Sequence, residues 1–368
     1  QLGVMVAVVG ILHQMVPTDG HYLAQRVVVA ANGARFVEFE TNAFVAAKFV
    51  FAIIGMPAMY AYALRHRYQA VRWLAISYAA GAAVSGVVAF TDGLGFTTIG
   101  ATLTGRTAAR AREAGLSNHA NFLAAACVVA IPLSIWLLAS SSRRDRWIGG
   151  VTTFGLLLGT YASGSRGGTL CLVLAAVLTV LFDERFRHQL GTVLFGFAIA
   201  VVVTLIVFPG VGTHILTAVR LTGSNHTAGS NSVRGIVQAQ GIRDVQFSPI
   251  DGVGLQVATE ATNVYLQELA SGGILLFLSM QVFTFGGMWA AYSLRREHDI
   301  ANALLAALFA AAVLNIVEAD LTDRFFYFPA ALVGGMVAVA AERRRHGPPS
   351  VPSGPLEADQ QVPMLVGG

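Results

Sequence analysis

The sequence predicts an all-α fold: a polytopic membrane helix bundle of about ten transmembrane helices, with a long extracytoplasmic loop between spans seven and eight. Three observations predict it. Apolar residues make up 55% of the 368, and mean hydropathy is +0.63. Only 12% of residues are charged, whereas soluble domains carry about 25%. Apolar runs of near-span length recur between short basic turns, and only one long polar stretch, from Pro209 to Gly273, interrupts them.

Taken in order, Leu2 to Val16 is apolar but shorter than the roughly 20 residues that a spanning helix needs. Because the chain opens on Gln1, this first span is expected to be truncated. Pro17 to Asn42 is polar and carries Arg26, Arg35, Glu38 and Glu40. The second span, Ala43 to Leu64, holds the only lysine, Lys48, expected to face the bundle interior or to snorkel; it ends at Arg65, His66, Arg67 and Arg72. Trp73 to Phe90 is the third span, and a Gly/Thr-rich loop over 91–117 carries Arg106, Arg110 and Arg112. Asn118 to Ala139 is the fourth, closed by Arg143, Arg144 and Arg146.

Trp147 to Ala162 and Thr169 to Phe182 read as a tight pair joined by Ser163-Gly164-Ser165-Arg166-Gly167-Gly168. Leu190 to Phe208 is the seventh span, and the loop over 209–262 follows. Leu275 to Tyr292, Ala301 to Val317 and Phe325 to Ala341 complete the set, the last stopped by Arg343, Arg344 and Arg345. Residues 1–346 thus form one transmembrane domain. The Pro/Gly/Ser-rich tail over 347–368 has too little apolar content to fold and is expected to be a disordered cytoplasmic segment. Cys127 and Cys171 lie inside apolar runs without metal-binding spacing and read as packing residues.

Orientation follows from the short basic turns. Alternating them puts thirteen arginines, among them Arg65, Arg72, Arg143, Arg185, Arg295 and Arg343, on one side, which the positive-inside rule makes cytoplasmic. The other arginines fall in the long loops and at Arg166 and Arg324, where charge is available for function. Arg166 sits in a turn so short that it lies near membrane depth, and an ionisable group there is by default a site hypothesis; snorkelling is the alternative. The net charge of +4 is small, and no nucleic-acid partner is expected.

Four motifs occur in order on this background: Gly115-Leu116-Ser117-Asn118-His119-Ala120-Asn121 at the start of a span; the Ser-Gly-Ser-Arg-Gly-Gly turn; Arg234 followed by Ser248-Pro249-Ile250-Asp251-Gly252-Val253-Gly254; and Thr262-Asn263-Val264-Tyr265-Leu266 with Gly272-Gly273. Over about Thr104 to Phe277 this resembles the O-antigen ligase and polymerase superfamily. The resemblance implies an inverting glycosyltransferase of the bacterial inner membrane that needs no metal or other cofactor. Its donor would be an undecaprenyl-pyrophosphate-linked glycan, its acceptor a glycan, lipid or protein, and its active site would face the extracytoplasmic side among membrane lipids. Arg234, and one of Arg106, Arg110 or Arg112, would bind the donor pyrophosphate; Arg166, from its depth, and His119, Asn121, Asn263 and Tyr265 are further candidates for contact with substrate.

Where ligases carry a histidine before the asparagine, this chain has Thr262, and Leu276 replaces the second glycine of a Gly-x-x-Gly pattern. Thr262 cannot deprotonate an acceptor hydroxyl, so the base is sought first at Glu260, then at His226, Asp251 and His119. The missing histidine favours a polymerase of surface-polysaccharide repeat units over a ligase. Structural roles compete with these readings: Arg234 pairing with Asp244 or Asp251, His119, Asn121 and Asn263 capping helices, Tyr265 in an interfacial aromatic belt. A transporter of an anionic lipid or solute is the alternative from another class, and it predicts broken helices at matching positions in two halves.

Overall fold

The computed structural model describes residues 47–67, 69–105, 112–187, 225–255, 262–318 and 326–346. Among them every regular element is helical. α1 spans Ala47–His66 and contains a π-helical turn at Phe51–Gly55. α2 is Ala70–Gly93, α3 the short Ile99–Thr104, α4 Ala120–Leu138, α5 Arg143–Ser163, α6 Arg166–Phe182 and α7 the single turn Glu184–Arg187. α8 is Asn225–Phe247, α9 Val264–Leu294, α10 Ile300–Leu314 and α11 Tyr327–His346. By length and composition α1, α2, α4 and α9 can each cross a membrane, and α6 and α10 are shorter apolar helices.

α4 is the axle of the bundle. It is apolar on all sides, which marks a helix buried all round, and Leu123, Val128, Ile131, Leu133 and Leu137 are wholly buried. α2, α5, α6 and α10 pack around it. The expected tight pairing of the helices flanking the Ser-Gly-Ser-Arg-Gly-Gly turn is corrected here. α5 packs on α2 and α4, α6 packs on α4 and α10, and the two touch little beyond their turn. Small residues decide these choices. On α5 a Gly-x-x-x-Gly pair, Gly155 and Gly159, meets Gly86 of α2 so closely that a Cβ on Gly86 would stand 2.4 Å from the Gly155 carbonyl oxygen and 2.9 Å from the Gly159 Cα. Such backbone approach is how helices associate where lipid offers no hydrophobic drive.

α9 departs furthest from a simple span. A straight helix of 31 residues would be about 46 Å long, more than a bilayer's hydrocarbon core of about 30 Å. The chain breaks instead at Gly272 and Gly273, the latter at φ +60°, leaving 274–294 as the span-length part. The break is sharp. In a straight helix residues thirteen apart are about 20 Å apart, yet Gln281 Nε2 donates to Glu268 Oε2 at 2.7 Å. Opening a helix orphans backbone groups, and the segment Ser248 to Gly254 takes them up. Val253 N–H donates to the Ala270 carbonyl at 2.7 Å, Gly254 N–H to that of Ser271 at 3.0 Å, and Ile274 N–H to that of Pro249 at 2.9 Å. A Cβ on Gly273 would lie 2.0 Å from the Ile250 carbonyl oxygen, so glycine is required by space as well as by φ.

The described part of the polar stretch, 225–255, is α8 followed by the segment that stitches α9. Three expected features, the first span at 2–16, the seventh at 190–208 and the tail at 347–368, lie outside the described residues. The described basic turns lie together. Arg65, Arg72, Arg144, Arg185, Arg295 and Arg344 gather at one end of the bundle, where Arg65 pairs with Glu342 at 2.5 Å, Arg185 with Asp183 and Asp299, Arg344 with Glu297, and Arg72 with Asp145. The opposite end carries the N-termini of α4, α6 and α9 and the C-termini of α5 and α10.

Candidate functional site

At that opposite end a buried carboxylate, Glu318, is the centre of convergence. It follows α10 directly, because its N–H donates to the Leu314 carbonyl at 3.1 Å, and it is only 5% exposed. Asn121, in the first turn of α4, donates from Nδ2 to Glu318 Oε2 at 2.6 Å. The same amide accepts through Oδ1 from the Arg112 guanidinium. Arg112 Nε in turn donates to the Ser163 carbonyl at 2.8 Å, one of the orphaned carbonyls that end α5. A guanidinium, an amide and a carboxylate therefore stand in one hydrogen-bonded row. Asparagine suits the middle position because it is a donor and an acceptor at once.

The Ser-Gly-Ser-Arg-Gly-Gly turn brings the fourth element. Gly164 caps α5 in the left-handed region. Ser165 caps α6, its Oγ accepting from Gly168 N–H at 3.2 Å and reaching Glu318 Oε1 at 3.5 Å. Close approach again depends on glycine, since a Cβ on Gly167 would meet Val317 Cγ2 at 2.8 Å. The carboxylate thus faces the N-terminal turn of α6, the end of a helix that favours negative charge. Arg166 is the first residue of that turn and is half-buried.

Arg234, half-buried on α8, completes the arrangement by its field. Burial raises the Glu318 pKa above the ordinary carboxylate value, and Arg234, the Asn121 hydrogen bond, Arg112 and Ser165 pull it part of the way back. A carboxyl held high by desolvation and flanked by cations where helix ends meet has the character of a functional acid or base. Among the described residues no group of three or more metal-ligating side chains occurs.

The other sequence-predicted residues divide into three groups. Arg112, Asn121 and Arg234 are brought together, and Arg166 adjoins them. His119, Asn263 and Tyr265 have local structural roles. His119 caps α4, Nδ1 accepting from Asn121 N–H at 3.2 Å, and so fixes the residue that holds Glu318. Asn263 caps α9 through Leu266 N–H at 3.0 Å. The Tyr265 hydroxyl donates to the Ala312 carbonyl at 2.7 Å, tying α9 to α10. Arg106, Arg110 and Glu260 lie outside the described residues, as does the side chain of His226, whose backbone is in α8. Asp251 is exposed in the segment that stitches α9. Sequence reasoning missed Glu318 as a site residue, because it stands one residue after an apolar run and resembles an ordinary span boundary. The available signal was that it is the first carboxylate after the ninth apolar run, on the side already assigned to the two long loops.

Comparison of the chain with protein-family models and with curated proteins returns no match.

Proposed function

We propose that the Glu318 end of the bundle carries out metal-independent, inverting glycosyl transfer from a lipid-pyrophosphate-linked glycan, polymerising repeat units of a surface polysaccharide at the extracytoplasmic face of a bacterial inner membrane. The observation that carries the reading is the convergence of Arg112 and Arg234, from two separate segments, on one buried carboxylate whose pKa is raised. Displacing a pyrophosphate from an anomeric carbon demands stabilisation of the leaving group's growing negative charge. Guanidinium groups supply it through bidentate, permanently charged contacts. The reaction also demands a base for the acceptor hydroxyl. Glu318 replaces Glu260 as the first choice, since a carboxyl titrating above its usual range is better matched to that proton transfer. Two of the carboxylate's roughly four acceptor positions are taken by Asn121 and Ser165, which leaves lone pairs unused for the acceptor hydroxyl.

Ten spans, with the unmatched apolar runs crossing as well, and the cytoplasmic placement of the arginine-rich end belong to the same proposal. Ligation to a lipid or protein acceptor is the nearer alternative. Transport of an anionic lipid or solute is the more distant one. One break in helical φ/ψ is found among the described helices, at Gly272 and Gly273, and its backbone groups are taken up by the protein itself. A paired set of open half-helices is what transport favours.

The test is reconstitution of the purified protein with a lipid-pyrophosphate oligosaccharide and separation of products by size. A ladder supports the polymerase, a single shifted acceptor the ligase, and movement of lipid across the bilayer without turnover the transporter. Arg234→Ala is expected to abolish the ladder at normal expression, and EDTA is expected to leave it unchanged. A ladder of normal length from Arg234→Ala, or recovery of an EDTA-treated sample only on adding a divalent ion, overturns the arginine mechanism.

A further inference from the structure

Where α2 ends, on the same side as Glu318, the chain presents an apolar surface that the proposed reaction does not use. Leu94, Phe96, Ile99 and Leu103 are all exposed, Phe96 at 77% and Leu103 at 70%, and Gly93 to Gly105 contains no charged residue. The segment is nonetheless firmly held. The Asp92 carboxylate accepts from Ile99 N–H at 3.1 Å and from Gly100 N–H at 2.8 Å, two of the donors that the start of α3 would leave orphaned, and from the Thr97 hydroxyl. Phe96 N–H turns back to the Thr91 carbonyl at 3.0 Å. α3 then lies against the loop before α4 so closely that a Cβ on Gly100 would stand 2.5 Å from the Gly115 carbonyl oxygen. The exposed apolar side chains are therefore mounted on a braced support.

What covers them follows from the helix before. Along α2 the exposed Trp73, Val84 and Val87 lie on one side, and Leu94, two turns beyond Val87 and still in helical φ/ψ, continues the same stripe. In a helix that crosses a bilayer such a stripe faces lipid. The 24 residues of α2 are about 36 Å long, more than the hydrocarbon core of about 30 Å and less than the roughly 40–45 Å that includes the headgroups. A spanning α2 therefore ends within the headgroup layer, and residues 94–104 begin there. Exposed Thr98 and Thr102, beside Ile99 and Leu103, give α3 hydroxyls for that layer and apolar groups for the acyl chains beneath it. We propose that residues 94–104 are an interfacial foot, with Leu94, Phe96, Ile99 and Leu103 inserted in the lipid leaflet on the Glu318 side. Through Gly100 and Gly115 the foot sets the height of the loop that carries Arg112, and holds that guanidinium at the level of the lipid headgroups. The inference rests on α2 crossing a bilayer and not on glycosyl transfer.

The full chain carrying Val84→Cys, Phe96→Cys or Leu103→Cys is labelled with a nitroxide, its own Cys127 and Cys171 being buried, and reconstituted in phosphatidylcholine vesicles with reagent on both sides. Collisions with oxygen, which concentrates in lipid, are compared with those of a water-soluble nickel chelate. Val84 reports on α2 itself. The expected result is frequent oxygen and rare nickel collisions at all three positions, with Phe96 and Leu103 shallower than Val84. Frequent nickel collisions at Phe96 and Leu103, with Val84 in lipid, overturn the inference and leave α2 as a span. Rare collisions with both reagents at Phe96 and Leu103 also overturn it, since protein then covers the surface, either another segment of this chain or a second copy. Free access of nickel to Val84 removes the span, and the inference with it.

Discussion

The two ends of the bundle are both rich in arginine, and they use it in opposite ways. At one end each pair joins two residues only, and the outer pairs are wet: Arg65 and Glu342 are 54% and 38% exposed, Arg344 and Glu297 74% and 53%. Charges in such surroundings interact weakly and are screened by salt. At the other end, arginines from the loop before α4 and from α8 act on a single carboxylate that is shut away from water, and its pKa records the conflict between burial and their fields. The residue type is the same. What separates topological charge from chemical charge is whether the partner is solvated and whether one acceptor is shared by several segments.

The largest expected effect tests the buried end. Glu318→Gln is expected to lower kcat by about 10²- to 10⁴-fold, the range for losing a general base, with donor binding little changed; equal loss of donor binding would instead make Glu318 part of the donor site. In the unsubstituted protein the proposed transfer rate is expected to rise with pH through a midpoint above the ordinary carboxylate value of 4.5. Arg234 lowers that midpoint, so Arg234→Gln, where residual activity is measurable, is expected to move the acid limb to higher pH. An unmoved limb removes Arg234 from the field at Glu318. The same shift bears on stability. A carboxyl that titrates higher when folded gives its full contribution below the unfolded pKa and loses it as pH rises through the folded one. Glu318→Gln is therefore expected to melt above the unsubstituted protein near neutral pH and level with it in acid.

An intermediate effect is expected at the Arg72–Asp145 pair, which, like Arg185 with Asp183, joins an arginine of this end to a buried carboxylate. The Asp145 side chain is 7% exposed against 34% for Arg72, and Ser140 Oγ also donates to it, at 3.1 Å. Arg72→Ala leaves that carboxylate under-satisfied and is expected to cost about 1–3 kcal/mol, read by thermal unfolding. Transfer activity per folded molecule is expected to stay unchanged, because the pair lies at the far end from Glu318. A loss of specific activity would mean that the two ends are coupled through α2 and α5.

How far this contrast was legible in the sequence depends on the kind of signal. Helical class and the common side of the basic turns follow from one-dimensional patterns, apolar runs and where Arg65, Arg143, Arg295 and Arg343 interrupt them. The Gly155-x-x-x-Gly159 spacing is visible too, but its partner Gly86 is not, since nothing in a linear pattern says which helix will present a third glycine. The site was half legible. Asn121 and Arg234 stand in motifs and Arg112 in a loop marked by its arginines, whereas Glu318 acquires its character from a fold that brings side-chain atoms of residues 121 and 318 within 2.6 Å. Thr262 drew attention as a missing base, and in the structure it is a left-handed residue at φ +53° just before the Asn263 cap. The carboxylate proposed as base lies on another segment altogether. Gly272-Gly273 stood out only as part of a motif, and the break it makes in α9 is closed by Val253 and Gly254, a tertiary pairing that no local propensity encodes.

The smallest expected effect is the most direct check on the wet end. Arg344 Nη2 and Glu297 Oε1 are 3.3 Å apart, and an exposed pair of this kind contributes about 0–1 kcal/mol. A double-mutant cycle on Arg344→Ala and Glu297→Ala, read as thermal stability in low salt, is expected to give a coupling within that range that fades when salt is raised. If these arginines serve orientation rather than packing, the informative change is in charge. Replacing Arg343, Arg344 and Arg345 together is expected to leave the melting temperature nearly unchanged while altering the fraction of chains inserted with this end in the cytoplasm. A coupling as large as that of Arg72 with Asp145, insensitive to salt, would mean that this end is a packed interface rather than a solvated rim, and the two ends would then differ in degree only.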